Sequence, residues 1–242
     1  MPSDREYVIV RGFISVLSKI FYRMRVTGVE NLHIKPPYVI SANHHSTIDA
    51  ILLGLFVPYR IHFLGKQSAL WEANKAWGVI NDYFGTIPVR DIPGSNTEAM
   101  KAGIGVLRRG RVLGIFPEGA ILAHKKAFEG KTGVARFSLE AGVPVIPVGI
   151  LGTEDVLPYP EYGQPPIFWP RVGRKVELHI RPALNFPQYS AKDAEKKEIL
   201  REVTDTIMRE IRIASKGYGC PIPYLRELLD RRLITKEHLV VK

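Results

Sequence analysis

The segment YVISANHHSTIDAILLGLF, residues 38–56, decides the fold because it joins two apolar runs through a short polar turn. The first run, Tyr38–Ala42, is short and bounded by a proline, which predicts a buried β-strand. The second run, 48–56, predicts a helix. A strand that passes directly into a helix is the repeating unit of an α/β sheet. The polar residues between the two runs therefore lie at a strand end, where open α/β sheets bind their ligands.

The same alternation continues along the chain. Further strands are predicted at 60–64, 85–89, 112–116, 143–149 and 175–180, with helices at 67–82, 96–108 and 132–141. Helices between strands imply crossover connections, so the fold class is α/β, with a mostly parallel or mixed sheet flanked by helices. A long charged C-terminal helix is predicted to begin at Ser190, capped by Ser190 and Asp193. Its inward-facing residues are Ile199, Leu200, Val203, Ile207 and Ile211.

The N-terminus predicts an amphipathic helix at 7–25. Its apolar stripe comprises Ile9, Phe13, Val16, Leu17, Ile20, Phe21 and Met24. The opposite face comprises Arg11, Ser15, Ser18, Tyr22 and Arg25. Every charge between Tyr7 and Val29 is positive, which is typical of an interfacial helix that binds anionic headgroups. The alternative is that the stripe packs on the rest of the domain.

Composition restricts the partners and the compartment. Lys plus Arg is 34 and Asp plus Glu is 24, so the net charge is +10, which favours an anionic partner. Nucleic acid is disfavoured, because aromatic and basic residues are not interleaved on any predicted strand. The single cysteine, Cys220, permits no intrachain disulfide and indicates a reducing compartment. Neither a secretory signal nor a run of about 20 apolar residues is evident, and no metal-ligand spacing occurs.

His44 and Asp49 allow two interpretations of the polar turn. A carboxylate on one ring nitrogen of a histidine leaves the other nitrogen able to act as a base. Alternatively, Ser46 and Asp49 form a capping box that only starts the helix. That second interpretation does not account for Asn43 and His44, two polar residues at the end of a buried strand.

Four sequence blocks in this order resemble the glycerolipid acyltransferases, the PlsC-like lysophosphatidic acid acyltransferases. The blocks are NHHSTID at 43–49, GTIPVRD at 85–91, FPEG at 116–119 and VPVIPV at 143–148. The resemblance covers roughly residues 38–153. It implies a division into an N-terminal membrane-interfacial helix, 1–30, and an acyltransferase domain, 31–242.

The resemblance implies a role for each matching residue. His44 would be the general base and Asp49 would orient it. Arg90 would bind the phosphate of the acceptor, Glu118 and Gly119 would shape the acceptor site, and Pro147 would line the acyl channel. The remaining candidates for substrate binding are Asn43, Ser46, Lys66 and Lys131.

The implied reaction is direct transfer of a fatty acyl group from acyl-CoA or acyl carrier protein to a lysophospholipid, most simply lysophosphatidic acid, without a cofactor. The chain departs from the family at Ala120 and Ile121, where the family usually has Thr-Arg. Lys125 or Lys126 would then supply the missing charge, or the acceptor would be another lysolipid or a glycolipid. A non-catalytic basic lipid-binding module is the other alternative. The expected location is cytoplasmic, on the inner face of the cell membrane.

Overall fold

A computed structural model describes residues 4–67, 75–90, 95–121, 129–158 and 170–217. Its centre is one seven-stranded sheet in the order β1-β7-β6-β2-β5-β3-β4. The strands are β1 (Arg25–Thr27), β2 (Tyr38–Ala42), β3 (Ile61–Lys66), β4 (Ile87–Val89), β5 (Val112–Ile115), β6 (Val145–Leu151) and β7 (Glu177–Ile180). All neighbours pair in parallel except β6 and β7, so the predicted mixed α/β sheet is confirmed.

The helices flank this sheet. They are α1 (Asp4–Phe21), α2 (Asp49–Phe56), α3 (Lys75–Phe84), α4 (Ser95–Arg108), α5 (Gly133–Ala141), α6 (Thr153–Val156) and α7 (Lys197–Ala214). Two short 3-10 helices, Val29–Leu32 and Ala191–Glu195, complete the described elements. Within the described residues, no helix combines the length and apolar character that crossing a membrane requires.

The core lies on both faces of the sheet. Side chains alternate along β2, so Val39 packs with α4, α5 and α7 on one face while Tyr38 and Ile40 pack with α2 on the other. All five residues of β2 are buried. The polar turn at 43–48 therefore follows a fully buried strand, which fixes the position of the residues that come after it.

The predicted boundaries of the N-terminal helix and of the long C-terminal helix were wrong. The N-terminal helix ends at Phe21 rather than at residue 25, and the strand β1 follows it, leaving Met24 and Arg25 outside the helix. Ser190 and Asp193 do form a capping box, but they cap the short 3-10 helix at 191–195. The long helix α7 begins only at Lys197. Four of its five predicted inward-facing residues are buried, namely Leu200, Val203, Ile207 and Ile211. The fifth, Ile199, is only partly buried.

Helix α1 turns its apolar stripe outward. Ile9, Phe13 and Ile20 are 65%, 68% and 69% exposed, while Tyr7 and Ser18 on the other side are buried against the domain. The Tyr7 hydroxyl donates to the Gly54 carbonyl at 3.2 Å, which ties α1 to α2. The interpretation that the stripe covers the core is therefore wrong. Exposed apolar patches of this kind mark sites of interaction.

Candidate active site

The His44 and Asp49 side chains meet at the turn between β2 and α2. The ring Nδ1 of His44 lies 2.8 Å from Oδ2 of Asp49. Because Asp49 is fully buried and His44 is 16% exposed on its side chain, the pair has one enclosed and one accessible end. With Nδ1–H donating to the carboxylate, Nε2 is left as an unprotonated acceptor, which is the state that a general base requires.

Asp49 also accepts two backbone hydrogen bonds through the same oxygen. The N–H groups of His45 and Ser46 donate to Oδ2 at 2.7 and 2.8 Å. The carboxylate thus forms the half of the predicted capping box in which Asp49 returns to the Ser46 N–H, and it contacts His44 as well. The reciprocal half is not formed, because the Asp49 N–H donates to the Ser46 carbonyl at 3.1 Å rather than to the Ser46 hydroxyl. The same carboxylate therefore holds the turn and orients the imidazole.

Asn43 and Ser46 hold this turn against the rest of the domain. The Asn43 amide donates to the Ile150 carbonyl and accepts from the Ile150 N–H, both at 2.7 Å. The Ser46 hydroxyl donates to the Leu157 carbonyl at 2.6 Å. Both side chains are buried, so their contacts support the turn, whereas the sequence-based prediction that they bind substrate gains no support from this packing.

Glu118 contacts the same turn from the end of β5. Its Oε2 accepts the backbone N–H of His44 at 2.8 Å. Burial raises the pKa of Glu118 to about 8, with the nearby Asp49 charge acting in the same direction, although the His44 N–H and the Arg212 charge oppose the shift. At neutral pH the carboxyl is therefore mainly protonated, and it can donate a hydrogen bond to a polar group of a ligand.

The raised pKa of Glu118 predicts a pH-dependent stability. At pH values between the ordinary pKa of a glutamate and about 8, Glu118 keeps its proton in the folded protein but has released it in the unfolded chain. The free energy of unfolding therefore falls as the pH rises through this range. We expect the free energy of unfolding of the wild type to fall by about 1.4 kcal/mol per pH unit relative to Glu118→Gln between pH 5 and 8. Urea titrations of both proteins measure this difference. Parallel pH curves would mean that Glu118 titrates normally.

An aromatic stack supports His44 from one side. The His44 and Phe116 rings are parallel within 8°, with centroids 3.9 Å apart, and Phe63 stacks on Phe116 at 5.2 Å. Gly114 makes room for this column, because a Cβ there would collide with the Phe63 ring. Phe116 and the Asp49 carboxylate together restrict the plane of the imidazole. Sequence reasoning missed Phe116 as a site residue, although it begins the FPEG block.

Gly119 and Lys131 lie together beside this turn. Gly119 has a φ of +72°, which favours glycine, and a Cβ there would collide with the side-chain end of Lys131. The Lys131 N–H donates to the Pro117 carbonyl at 2.7 Å, which closes the segment 117–131. The exposed Lys131 ammonium is therefore placed next to the loop that carries Glu118.

Pro147, Lys66 and Arg90 lie on other strands. Pro147 is buried within the central strand β6, paired with Ser41 of β2. Lys66 is the last residue of β3, and Arg90 directly follows β4 and is exposed. Because β2, β3 and β4 run in the same direction, Lys66 and Arg90 lie at the same edge of the sheet as His44. Since β4 is three strands from β2, we estimate about 14 Å between Arg90 and the His44 turn across the sheet.

Comparison with known proteins assigns this arrangement to a family. The sequence model of the acyltransferase family matches residues 23–151, a little over half of the chain. The chain belongs to the acyltransferase family. The match contains all four sequence blocks and every site residue described above.

Individual relatives and a solved structure agree with this assignment. The chain is 26% identical to a chloroplastic 1-acyl-sn-glycerol-3-phosphate acyltransferase of Brassica napus, over 63% of this chain and 44% of that protein. It is 32% identical to the lyso-ornithine lipid O-acyltransferase of Pseudomonas aeruginosa, over 57% of this chain and 50% of that protein. The chain thus spans about half the length of these relatives. The crystal structure of PlsC from Thermotoga maritima shares the fold, with a TM-score of 0.60, 24% identity, and coverage of 88% of this chain and 83% of that one.

One further charged residue near the site was not evident from the sequence. Arg212 on α7 acts electrostatically on Glu118, from nearly a hundred residues away in the chain. No family block contains it, and no local pattern points to it. Lys125, Lys126 and Asp91 lie outside the described residues. Among the described residues, no group of three His, Cys, Asp or Glu side chains has the arrangement of metal ligands.

Proposed function

We propose that this acyltransferase moves a fatty acyl group from acyl-CoA or acyl carrier protein to the free hydroxyl of lysophosphatidic acid, giving phosphatidic acid. The observation that carries the proposal is the 2.8 Å contact between a partly accessible His44 and the fully buried Asp49. A lipid-binding module without catalysis has no need of a buried carboxylate aimed at an accessible imidazole. The family membership and the names of the relatives support the same conclusion.

The proposed reaction is a direct attack. Nε2 of His44 accepts the proton of the acceptor hydroxyl while that oxygen attacks the thioester carbonyl carbon. The tetrahedral intermediate then collapses, the carbon–sulfur bond breaks, and the leaving thiolate takes the proton back from the imidazolium. The Asp49 charge stabilises the imidazolium that forms between these two steps. No residue of the protein is acylated, and no cofactor takes part.

Product analysis tests this proposal. Purified protein with lysophosphatidic acid and palmitoyl-CoA or palmitoyl-acyl carrier protein should form phosphatidic acid, detected by mass spectrometry. Incubation with the donor alone should leave the intact mass of the protein unchanged. A stable increase by one acyl group that is then transferred to the acceptor would contradict direct attack. Absence of product with both donors would contradict the proposed function.

Arg90 is the proposed ligand for the acceptor phosphate. Its guanidinium can bind two phosphate oxygens at once, and its exposed position at the strand edge makes a structural role small. We expect Arg90→Ala to raise the KM for lysophosphatidic acid by about 10- to 100-fold, because hydrogen bonds to charged groups contribute about 1.5–3 kcal/mol. The KM for the donor should change little, and Arg90→Lys should lie between the two. An equal increase in both KM values would point to a structural effect instead.

A different lysolipid acceptor is the second candidate. The apolar Ile121 stands where the family usually has an arginine, and one relative is a lyso-ornithine lipid O-acyltransferase. The Lys131 ammonium lies beside Gly119 and could bind the acceptor phosphate in place of the missing arginine. Ala120→Thr with Ile121→Arg should therefore increase the preference for lysophosphatidic acid over lyso-ornithine lipid. An unchanged preference would make this departure from the family neutral.

The outward stripe of α1 is the proposed contact with the membrane. Both substrates carry acyl chains, and the stripe presents Phe13 and Ile20 at 68% and 69% exposure on a helix without acids after Glu6. An inner-face, peripheral location on the cell membrane follows as part of this proposal. The loop tip Ile167-Phe168-Trp169, which the sequence predicts as a second contact beside Arg171 and Arg174, lies outside the described residues.

Substitution within the stripe tests the membrane contact without unfolding the domain. Each buried Phe or Ile side chain contributes about 1.5–3 kcal/mol, so Phe13→Ser with Ile20→Ser should weaken vesicle binding by about 100-fold or more. Neutral and anionic vesicles should be affected alike, because no charge changes. Val79→Ser, which alters a side chain with 69% exposure on α3, is the control. Unchanged co-sedimentation of the double variant would eliminate the stripe as the anchor.

A further inference from the structure

The contact between His44 and Phe116 is closer than that of ordinary aromatic pairs. The two ring planes are parallel within 8°, and their centroids lie 3.9 Å apart. Pairs of neutral aromatic rings prefer centroids about 4.5–7 Å apart and avoid direct overlap, because both ring faces carry partial negative charge. The face of Phe116 therefore lies against the imidazole ring itself and not against its edge.

This contact becomes more favourable when the imidazole takes up a proton. The face of a phenyl ring attracts a cation whose centre lies within about 6 Å of the ring centroid. The 3.9 Å separation meets this condition for the imidazolium that forms in the proposed reaction. Phe116 thus distinguishes the charged form of His44 from the neutral form, which a purely steric wall does not do.

The carboxyl groups around His44 do not surround this charge. Asp49 contacts the imidazole at Nδ1, with its Oδ2 2.8 Å away. Glu118 accepts the His44 backbone N–H, but burial raises its pKa to about 8, so at neutral pH it is mainly protonated. Phe116 covers the face of the imidazole, a direction that Asp49 leaves uncovered. The phenyl ring and the Asp49 carboxylate therefore act on the imidazolium from different sides.

The sheet holds Phe116 in this position without help from a ligand. Phe63 of β3 stacks on Phe116, with ring planes parallel within 9° and centroids 5.2 Å apart. Gly114 of β5 leaves space for this second ring, since a Cβ there would collide with Phe63. Phe116 itself directly follows β5, whose first three residues are buried. A group that is already in place stabilises a developing charge without the cost of reorganisation.

We propose that the face of Phe116 stabilises the His44 imidazolium during acyl transfer, so that the ring electrons of Phe116, and not only its shape, raise the rate. The inference rests on the proposed function, in which Nε2 of His44 takes the proton of the acceptor hydroxyl and returns it to the leaving thiolate. Phe116 takes part in neither transfer. It acts through His44 as a positioning residue, and it lowers the barrier because it attracts the charged form more than the neutral form.

Fluorination of the Phe116 ring separates its electrostatic effect from its shape. Phenylalanine analogues with one, three or five ring fluorines keep nearly the same size, while the negative potential of the ring face weakens stepwise. The single-turnover rate of acyl transfer to lysophosphatidic acid, with the thioester donor that the wild type uses, should fall at each step. The total loss should be about 5- to 30-fold, as expected for a partly desolvated cation–π contact. The KM for the acceptor should change little.

A flat series in an active enzyme would overturn this inference alone, because a ring that acts only as a wall is insensitive to its electrons. A wild type that transfers no acyl group would overturn the proposed function and this inference with it. Phe116→Leu keeps an apolar side chain without a π face, and it should lose at least as much rate as the most fluorinated ring. Near-native turnover of this variant would also contradict the proposal.

Phe137 provides the matched control for fluorination. It is a buried phenylalanine of α5 and lies in the core on the other face of the sheet from Phe63. The same analogues at position 137 should leave the single-turnover rate unchanged, with circular dichroism as the check on folding. An equal fall in rate for the Phe137 series would show a general effect of fluorine on packing and would overturn the role assigned to Phe116.

Discussion

Replacement of His44 by alanine is expected to abolish acyl transfer while the protein stays folded. His44 combines a partly accessible imidazole with a fully buried carboxylate partner, whereas the similarly paired His179 has both ring nitrogens engaged, by Glu177 and Thr27. Positioned general bases contribute about 10²- to 10⁴-fold to rate, so the loss in kcat should fall in that range. The measurement is the initial rate of phosphatidic acid formation, with circular dichroism and thermal unfolding as the check on folding.

Two other histidines serve as controls for His44. His45→Ala and His124→Ala should keep substantial activity, because His44 is the histidine that places its ring against Asp49 and Phe116 among the described residues, while His124 lies outside them and in none of the four sequence blocks. His45 contributes its backbone N–H to the Asp49 carboxylate, and alanine retains that group. Near-native turnover of His44→Ala would refute the mechanism, and so would an equal loss in all three variants.

Changes at Asp49 should affect both activity and stability, and the two effects can be separated. Asp49→Asn removes the charge that stabilises the imidazolium, so kcat should fall by about 10²- to 10⁴-fold while an oxygen remains to accept hydrogen bonds. Asp49→Ala also leaves the buried N–H groups of His45 and Ser46 without their acceptor. At about 1–3 kcal/mol for each buried donor, the alanine variant should lose about 2–6 kcal/mol of unfolding free energy.

Asp193 provides the matched control for Asp49. It accepts the Ser190 N–H at 2.9 Å in a capping box, but it lies outside the site and is partly exposed to solvent. Asp193→Asn and Asp193→Ala should leave kcat unchanged and cost about 1 kcal/mol of stability or less, as for helix caps in general. If Asp49→Asn resembles Asp193→Asn in its activity, then Asp49 only caps its helix.

The sequence was sufficient for the features that local chemistry determines. The apolar run of β2 and the polar turn after it predicted a strand end with His44 and Asp49 in contact, and the structure brings them together at 2.8 Å. The same local pattern predicted the return of Asp49 to the Ser46 N–H, although the second hydrogen bond of the predicted capping box is not formed. Both results depend only on residues within a dozen positions of one another, where spacing along the chain limits the geometry.

Features that depend on distant partners were missed or misplaced. Phe116 meets His44, and Ile150 binds Asn43, only because β5 and β6 flank β2 in the sheet, an order that no local pattern specifies. The strand β1 has three residues and pairs with β7 from the far end of the domain, so it was not predicted, and its first residue, Arg25, was assigned to the preceding helix. Amphipathicity located the stripe of α1, but the direction in which the stripe faces depends on how α1 packs on α2.

The most direct test of the central claim is a rate comparison across acceptors and donors. Lysophosphatidic acid, lysophosphatidylglycerol, lysophosphatidylcholine and lyso-ornithine lipid are each supplied with palmitoyl-CoA or palmitoyl-acyl carrier protein, and kcat/KM is measured for every pair. The account predicts acyl transfer with at least one donor, the highest kcat/KM for lysophosphatidic acid, and the loss of all transfer in His44→Ala. Failure to acylate any lysolipid with either donor would contradict it.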